Sequence, residues 1–280
     1  MTWEQGSENS FVSFRTSSIT TPSHQIKFPN RGPNRGPTAS RQPTTIPNTP
    51  MNAYDWILFD STGTLLTPDP EPARAYHAAA VALGSEHSFE EVRQNLIAAM
   101  KRHFFGDTVD QPTDEEAERR RWQRIVADTI RDLPPDLPPG DLDGFAGDDV
   151  FGSLWNHFAS ADAWRLYEDA LPALERLKSK GYAIAVASNF DLRLRTVLEG
   201  MGITHHFDAV LISSELGWSK PNTRFYDAAV TRIGITDRSR LLMIGDTKRG
   251  DVDAARQAGL DARLLVRDRP DALLRLTNDL

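Results

Sequence analysis

The stretch Trp56-Ile57-Leu58-Phe59-Asp60-Ser61-Thr62-Gly63-Thr64-Leu65 sets the reading of the whole chain. A short, unbroken apolar run is the pattern of a strand buried on both faces. It ends in a carboxylate and a turn of small residues, which places Asp60 at the carboxyl edge of a parallel sheet, where open α/β folds bind their ligands. Far along the chain Leu241-Leu242-Met243-Ile244 ends in a similar way, with Gly245-Asp246, and Asp251 follows shortly after. Acids at strand tips from distant parts of the chain predict a converging site for a hard divalent cation, which prefers carboxylate and carbonyl oxygens.

Around the first strand the pattern is helical from about residue 67 to 166. Pro72 to Leu83 is Ala-rich with Pro in its first turn and Gly84 beyond its end. Ser88-Phe89-Glu90-Glu91 reads as a capping box that starts a helix running to about His103. A third helix is expected from Thr113 to about Asp132, then a Pro- and Asp-rich loop, then a fourth helix from about Asp148 to Ala159. From about residue 168 helices alternate with short apolar strands: helices near 171–180, 192–201, 223–233 and 252–258, strands at 182–187, 209–212, 241–244 and 262–266. That rhythm predicts an α/β fold with a doubly wound parallel sheet, assembled from residues 51–66 and 167–280. Residues 67–166 are then an inserted all-helical cap domain over the carboxyl edge of the sheet.

Composition narrows the class. The chain has 280 residues, 39% apolar and 25% charged, which suits a globular protein with a real core. A net charge of −7 argues against a broad nucleic-acid surface, whose affinity comes from neutralising phosphates. With no Cys there is no disulfide, thiol nucleophile or cysteine-ligated metal, which fits a reducing interior, and a cytoplasmic location is expected. No apolar run reaches the length of a membrane helix. Residues 1–50 are rich in Ser, Thr, Pro, Asn and Gly, carry five Lys/Arg against two Asp/Glu, and show no apolar periodicity; they are expected to be a disordered tail.

Four strand-end motifs occur in order: Asp60-Ser61-Thr62-Gly63-Thr64, Ala187-Ser188-Asn189, Ser219-Lys220-Pro221, and Gly245-Asp246 with Asp251. Together they resemble the haloacid dehalogenase-like (HAD) hydrolase superfamily, in the branch whose helical cap is inserted after the first motif. The resemblance covers about residues 54–268 and implies a Rossmann-like core, a small phosphorylated substrate and a Mg²⁺ ion. It implies Asp60 as the nucleophile that forms an aspartyl-phosphate, and Asp60, the backbone carbonyl of Thr62 and Asp246 as metal ligands. Lys220 is implied as the cation beside the transferring group, and Ser188, Asn189 and Lys220 as phosphate contacts. Gly63, Thr64 and Asp251 are supporting residues, Gly63 permitting the tight turn and the Thr64 hydroxyl tying it together.

Thr62 departs from the family's ordinary phosphatases, which carry a second Asp two residues after the nucleophile. That Asp protonates the leaving oxygen and then activates water. A threonine hydroxyl is a poor acid or base near neutral pH, and such catalysis typically contributes about 10²–10⁴-fold. The resemblance therefore implies a phosphomonoesterase slowed at proton transfer, with a 2-haloacid dehalogenase-type hydrolase or a non-catalytic phosphate- or metabolite-binding module as alternatives. Elsewhere, Asp191 reads as the N-cap of the helix from Leu192, and Asp251 as a cap of its own helix beside any role in the site. Arg119-Arg120-Arg121 reads as a solvated helix face, His205-His206 as turn residues, and Trp122, Trp155 and Trp164 as packing residues.

Overall fold

Side chains on both faces of a parallel sheet organise the chain, for which a computed structural model describes residues 52–105, 111–130 and 147–280. The strands are β1 (Trp56–Phe59), β4 (Ala183–Ser188), β5 (Ala209–Ile212), β6 (Leu241–Gly245) and β7 (Asp261–Leu264). Their order is β5-β4-β1-β6-β7, all parallel. Residues alternate between faces along each strand. Ile57, Phe59, Ile184, Val186, Leu242 and Ile244 join one core cluster, whereas Leu58, Ala185, Ala187, Leu241 and Met243 join the other. Helices α5 (Ala170–Ser179), α6 (Arg193–Gly200) and α10 (Ala272–Leu276) cover the first face, while α8 (Thr223–Ile233) and α9 (Ala254–Gln257) cover the second. An unbroken apolar run is thus the right sequence for β1, because neither face meets water.

The chain fills the sheet outward from β1 in one direction through β4 and β5, then returns to β1's other side with β6 and β7. This reversal makes β1 one wall of the switch-point crevice at the carboxyl ends of the strands.

Helices α1 (Pro72–Ala82), α2 (Phe89–Phe105), α3 (Glu115–Ile130) and α4 (Gly147–His157) form an insert with its own apolar cluster, including Tyr76, Val92, Leu96, Ile125 and Leu154. The expected capping box is present: Ser88 N–H donates to Glu91 Oε2 at 2.7 Å and Glu91 N–H to Ser88 Oγ at 3.3 Å. Two short strands went unread, β2 (Leu66–Pro68) and β3 (Trp164–Leu166), which pair antiparallel where the chain enters and leaves the insert. Three residues apiece, one of them proline, carry no periodic signal. The short helices α7 (Ser213–Leu216) and α10 were also missed. The helix expected over 252–258 opens instead as a π-helical turn, Lys248–Asp253, before α9. In that turn Asp251 is drawn back toward Thr247 and across to Lys220. The expected tail over 1–50 and the Pro-rich loop between α3 and α4 lie outside the described residues.

One ion pair, between the buried Asp169 and the half-buried Arg267, braces the turn after β1. Asp169 accepts from Arg267 Nη1 at 2.6 Å and from Leu273 N–H at 2.6 Å, while Arg267 also donates to the Thr64 carbonyl and stacks on Tyr167. Asp169→Ala strands the Arg267 charge and the Leu273 N–H, so urea denaturation should show a loss of about 3–5 kcal/mol. A loss below about 1 kcal/mol would mean that the brace carries little.

Candidate active site

Because β4, β1 and β6 are neighbours, their ends bring Ser188-Asn189, Asp60 and Asp246 to one edge. Asp60 N–H extends the ladder, donating to the Ile244 carbonyl at 2.9 Å. Lys220 arrives from the loop between α7 and α8, and its backbone is clamped from both sides by one amide. Lys220 N–H donates to Asn189 Oδ1 at 2.7 Å, and Asn189 Nδ2 donates to the Lys220 carbonyl at 2.8 Å. So held, Lys220 Nζ donates to Asp60 Oδ1 at 2.7 Å, Asp251 Oδ1 at 2.6 Å and the Ala187 carbonyl at 2.8 Å. Those bonds use all three ammonium protons. Asp60 Oδ2 has no hydrogen-bond partner among the described residues.

The electrostatics are deliberately unbalanced. Asp60, Asp246 and Asp251 each offer an oxygen within 4.8 Å of the others. Lys220 offsets one carboxylate of a cluster in which Asp60 and Asp251 are buried and Asp246 is exposed, which leaves two negative charges. Burial pushes the Asp60 carboxyl up to about 7; Lys220 opposes the rise, and Asp251 and then Asp246 add to it. Burial, followed by the Asp251 charge, also raises Asp246. For Lys220 burial acts to lower the pKa, yet the Asp251 and Asp60 carboxylates outweigh it and the ammonium is held charged. An all-oxygen donor set with two uncompensated charges fits a hard divalent cation. The backbone is cut to match. At Gly63, whose φ is +86°, a Cβ would overlap the Asp246 carboxylate, and at Gly245 one would overlap the Asp251 carboxylate.

The other expected residues settle around this cluster. Ser188 is buried, and its hydroxyl is 2.6 Å from that of Ser61, a neighbour that sequence reasoning passed over. Asn189 spends its side chain mainly on Lys220, keeping one amide proton for an anion. The Thr64 hydroxyl does not tie the turn: it is buried without a partner, and the turn is closed instead by Leu65 and Leu66 N–H bonds to the Ser61 carbonyl. Thr62 is exposed beside the cluster. Asp251 does not cap a helix; its Oδ2 accepts from Thr247 N–H at 3.0 Å and from the Thr247 hydroxyl.

Asp191 also does more than cap. Its carboxylate takes both Nε and Nη2 of Arg193 at 2.7 Å, as well as the Arg193 N–H. The Arg193 guanidinium lies 3.5 Å from the ring centroid of Trp155 in α4, with Trp122 of α3 at 5.4 Å. Beside it, Glu115 of α3 accepts from Leu192 N–H, and Thr113 N–H donates to the Gly217 carbonyl. The insert is therefore fastened to the loops that follow β4 and β5. The arginine run is solvated at Arg119 and Arg120, both exposed, with Arg119 also lying over Phe151 and Trp155 and Arg120 paired with Glu116; Arg121 departs from the expectation and is paired with the buried Glu118. Arg193 carried no signal, since an arginine early in a helix reads as surface charge.

Comparison with known proteins agrees with this architecture. The haloacid dehalogenase-like hydrolase family model matches residues 54–259. The haloacid dehalogenase-like hydrolase domain-containing protein 3 of Bos taurus is 34% identical over 149 residues, covering 53% of this chain and 57% of that protein. The glyceraldehyde 3-phosphate phosphatase of Methanothermobacter thermautotrophicus is 33% identical over 124 residues, covering 44% of this chain and 54% of that protein. The chain thus spans little more than half the length of these curated relatives. In fold it is similar to the magnesium-bound HAD-hydrolase YfnB of Bacillus subtilis, with a TM-score of 0.63 and 16% identity over 82% of this chain and 99% of that one. With the family model matched across well over half of its length, the chain belongs to the haloacid dehalogenase-like hydrolases.

Proposed function

We propose that the chain is a Mg²⁺-dependent hydrolase of small phosphomonoesters, working through an aspartyl-phosphate on Asp60. The observation that carries this reading is the arrangement at Asp60: Oδ1 is held by Lys220 at 2.7 Å, while Oδ2 is left for attack on phosphorus. The phosphatase names among the relatives, such as that of the archaeal glyceraldehyde 3-phosphate phosphatase, support the substrate class.

In this reading Asp60, Asp246 and the Thr62 carbonyl hold Mg²⁺, with Asp251 supporting. The ion supplies charge neutralisation that lets a carboxylate approach a phosphate dianion. Asp60 then attacks the phosphoryl group, and splitting one displacement into two makes each step easier. Lys220 stabilises charge on the transferring oxygens and keeps the nucleophile oriented. Ser188, with Ser61 behind it, and the remaining amide proton of Asn189 offer donors to the phosphoryl oxygens. Residues 67–166 serve as the cap, excluding water and selecting the substrate, with the Arg193–Trp155 contact among its fastenings. A carbon–halogen hydrolase needs no cation at this edge and leaves the clustering of Asp246 and Asp251 with Asp60 without a purpose.

A phosphomonoester panel assayed with and without Mg²⁺ should show turnover that requires the ion and disappears in Asp60→Asn. Thr62→Asp should raise hydrolysis by about 10²–10⁴-fold, the usual worth of a placed acid–base group. Equal rates for wild type and Asp60→Asn would reject the reading, and Mg²⁺-dependent ligand retention without turnover would favour a binding module. Cation affinity should also follow pH. The Asp60 carboxyl sits at about 7 without the ion and must lose its proton to bind, so calorimetric Mg²⁺ affinity should fall roughly tenfold per unit below pH 7 and level off above it. An affinity indifferent to pH would show that Asp60 is not a ligand.

A further inference from the structure

The bond between Ser61 and Ser188 governs which way the second serine can point its proton. Strand β1 runs beside β4 with Phe59 opposite Val186, so two residues further on Ser61 meets Ser188 at the strand tips. Both side chains are buried, and their oxygens lie 2.6 Å apart. The backbone on either side of the Ser61 side chain is fixed. Asp60 N–H donates to the Ile244 carbonyl at 2.9 Å, and the Ser61 carbonyl accepts from Leu65 N–H at 2.8 Å and from Leu66 N–H at 3.0 Å. Ser188 is held as the last residue of β4, in register with Ile212 of β5. Two hydroxyls in such a contact share one bond, and each owns a single proton.

An ionised phosphoryl oxygen accepts hydrogen bonds and has none to give. When Ser188 serves such an oxygen its one proton is spent there, and the proton in the 2.6 Å bond comes from Ser61. We infer that Ser61 is a positioning residue for phosphate: its hydroxyl donates to Ser188 Oγ and so turns the Ser188 proton toward the phosphoryl oxygens. The inference rests on the reading of Ser188 as a phosphate contact in the proposed phosphomonoesterase and adds the group that directs it. Two effects make the second serine useful. A hydroxyl engaged through its own oxygen gives up its rotational freedom before the anion arrives, and accepting one bond strengthens the bond it donates. The pair is also neutral. Lys220 already meets Asp60 and Asp251, and a further cation here would cancel more of the carboxylate charge gathered with Asp246 at this edge. Paired serines supply a strong donor without that cancellation.

The test is a double-mutant cycle read by calorimetric binding of inorganic phosphate to the Mg²⁺-loaded protein. Ser188→Ala removes a hydrogen bond to a charged group and should weaken phosphate binding by about 10–100-fold. Ser61→Ala keeps Ser188 but leaves its proton undirected, and should weaken binding by about 5–10-fold. In a protein that already carries Ser188→Ala, adding Ser61→Ala should change phosphate affinity by less than about twofold, because no hydroxyl remains to be turned. Ser61→Cys fills the space but offers only a weak donor, so it should bind phosphate as poorly as Ser61→Ala and gives the same comparison should that variant unfold. Mg²⁺ affinity in either position-61 variant should stay within about twofold of the wild type. A serine that merely held the turn would change it, since the proposed ligands Asp60 and the Thr62 carbonyl flank position 61. Wild-type phosphate affinity in Ser61→Ala, an equal loss with and without Ser188, or a parallel loss of Mg²⁺ affinity would overturn the inference and leave Ser188 as a phosphate contact. Wild-type phosphate affinity in Ser188→Ala would instead remove the phosphate reading of Ser188, and the inference with it.

Discussion

A single ammonium group, shut in with more carboxylates than it can neutralise, is the constraint to which the rest of the structure answers. Lys220 spans Asp60 and Asp251 at 2.7 and 2.6 Å and is itself almost wholly buried. Taking such charges out of water is expensive, and their mutual attraction repays it only when the geometry is tight. The chain meets that condition with fixed parts. Asn189 pins the Lys220 backbone, Thr247 holds the second oxygen of Asp251, and glycine at 63 and 245 lets the carboxylates close in where any side chain would collide. The leftover negative charge and the all-oxygen donor set fit the divalent cation proposed for this edge.

The fold makes the cluster possible by placing β1 at the reversal of strand order, where three strand tips meet at one edge. Each flanking helix layer buries one side of these strands, so the strands that carry the tips are packed on both faces. The Asp169–Arg267 pair then fixes the turn that follows Asp60, tying it to the start of α5 and to α10. Above the edge, the helical insert is joined to the core by a buried cation between aromatic rings. Arg193 is paired with Asp191 and laid against Trp155, a contact that rewards a planar, weakly hydrated cation.

Much of this was legible in the sequence because the informative residues sit at the ends of uniformly apolar runs. Ile57, Leu58 and Phe59 are buried on alternate faces, and a run of that kind ending in Asp has few interpretations. The same logic recovers Ser188 and Asp246. What stayed hidden depends on partners remote in the chain. The sequence offers the Asn189 amide as a phosphate contact and gives no sign that it also clamps the Lys220 backbone, and Asp251 reads as a helix cap until its turn is found to be π-helical. Arg121 reads as solvated because nothing in the sequence shows that Glu118, its partner one turn back, is buried. The β2–β3 pair is too short for periodicity to reveal.

The most direct measurement is the location of a trapped phosphoryl group. Protein incubated with Mg²⁺ and a radiolabelled phosphomonoester, quenched in acid, digested and sequenced by mass spectrometry should carry its label on the peptide containing Asp60, at Asp60 itself. A label on Ser61 or Ser188 instead, or on an acid away from this strand tip, would contradict the assignment of Asp60 as the group that Lys220 holds ready for attack.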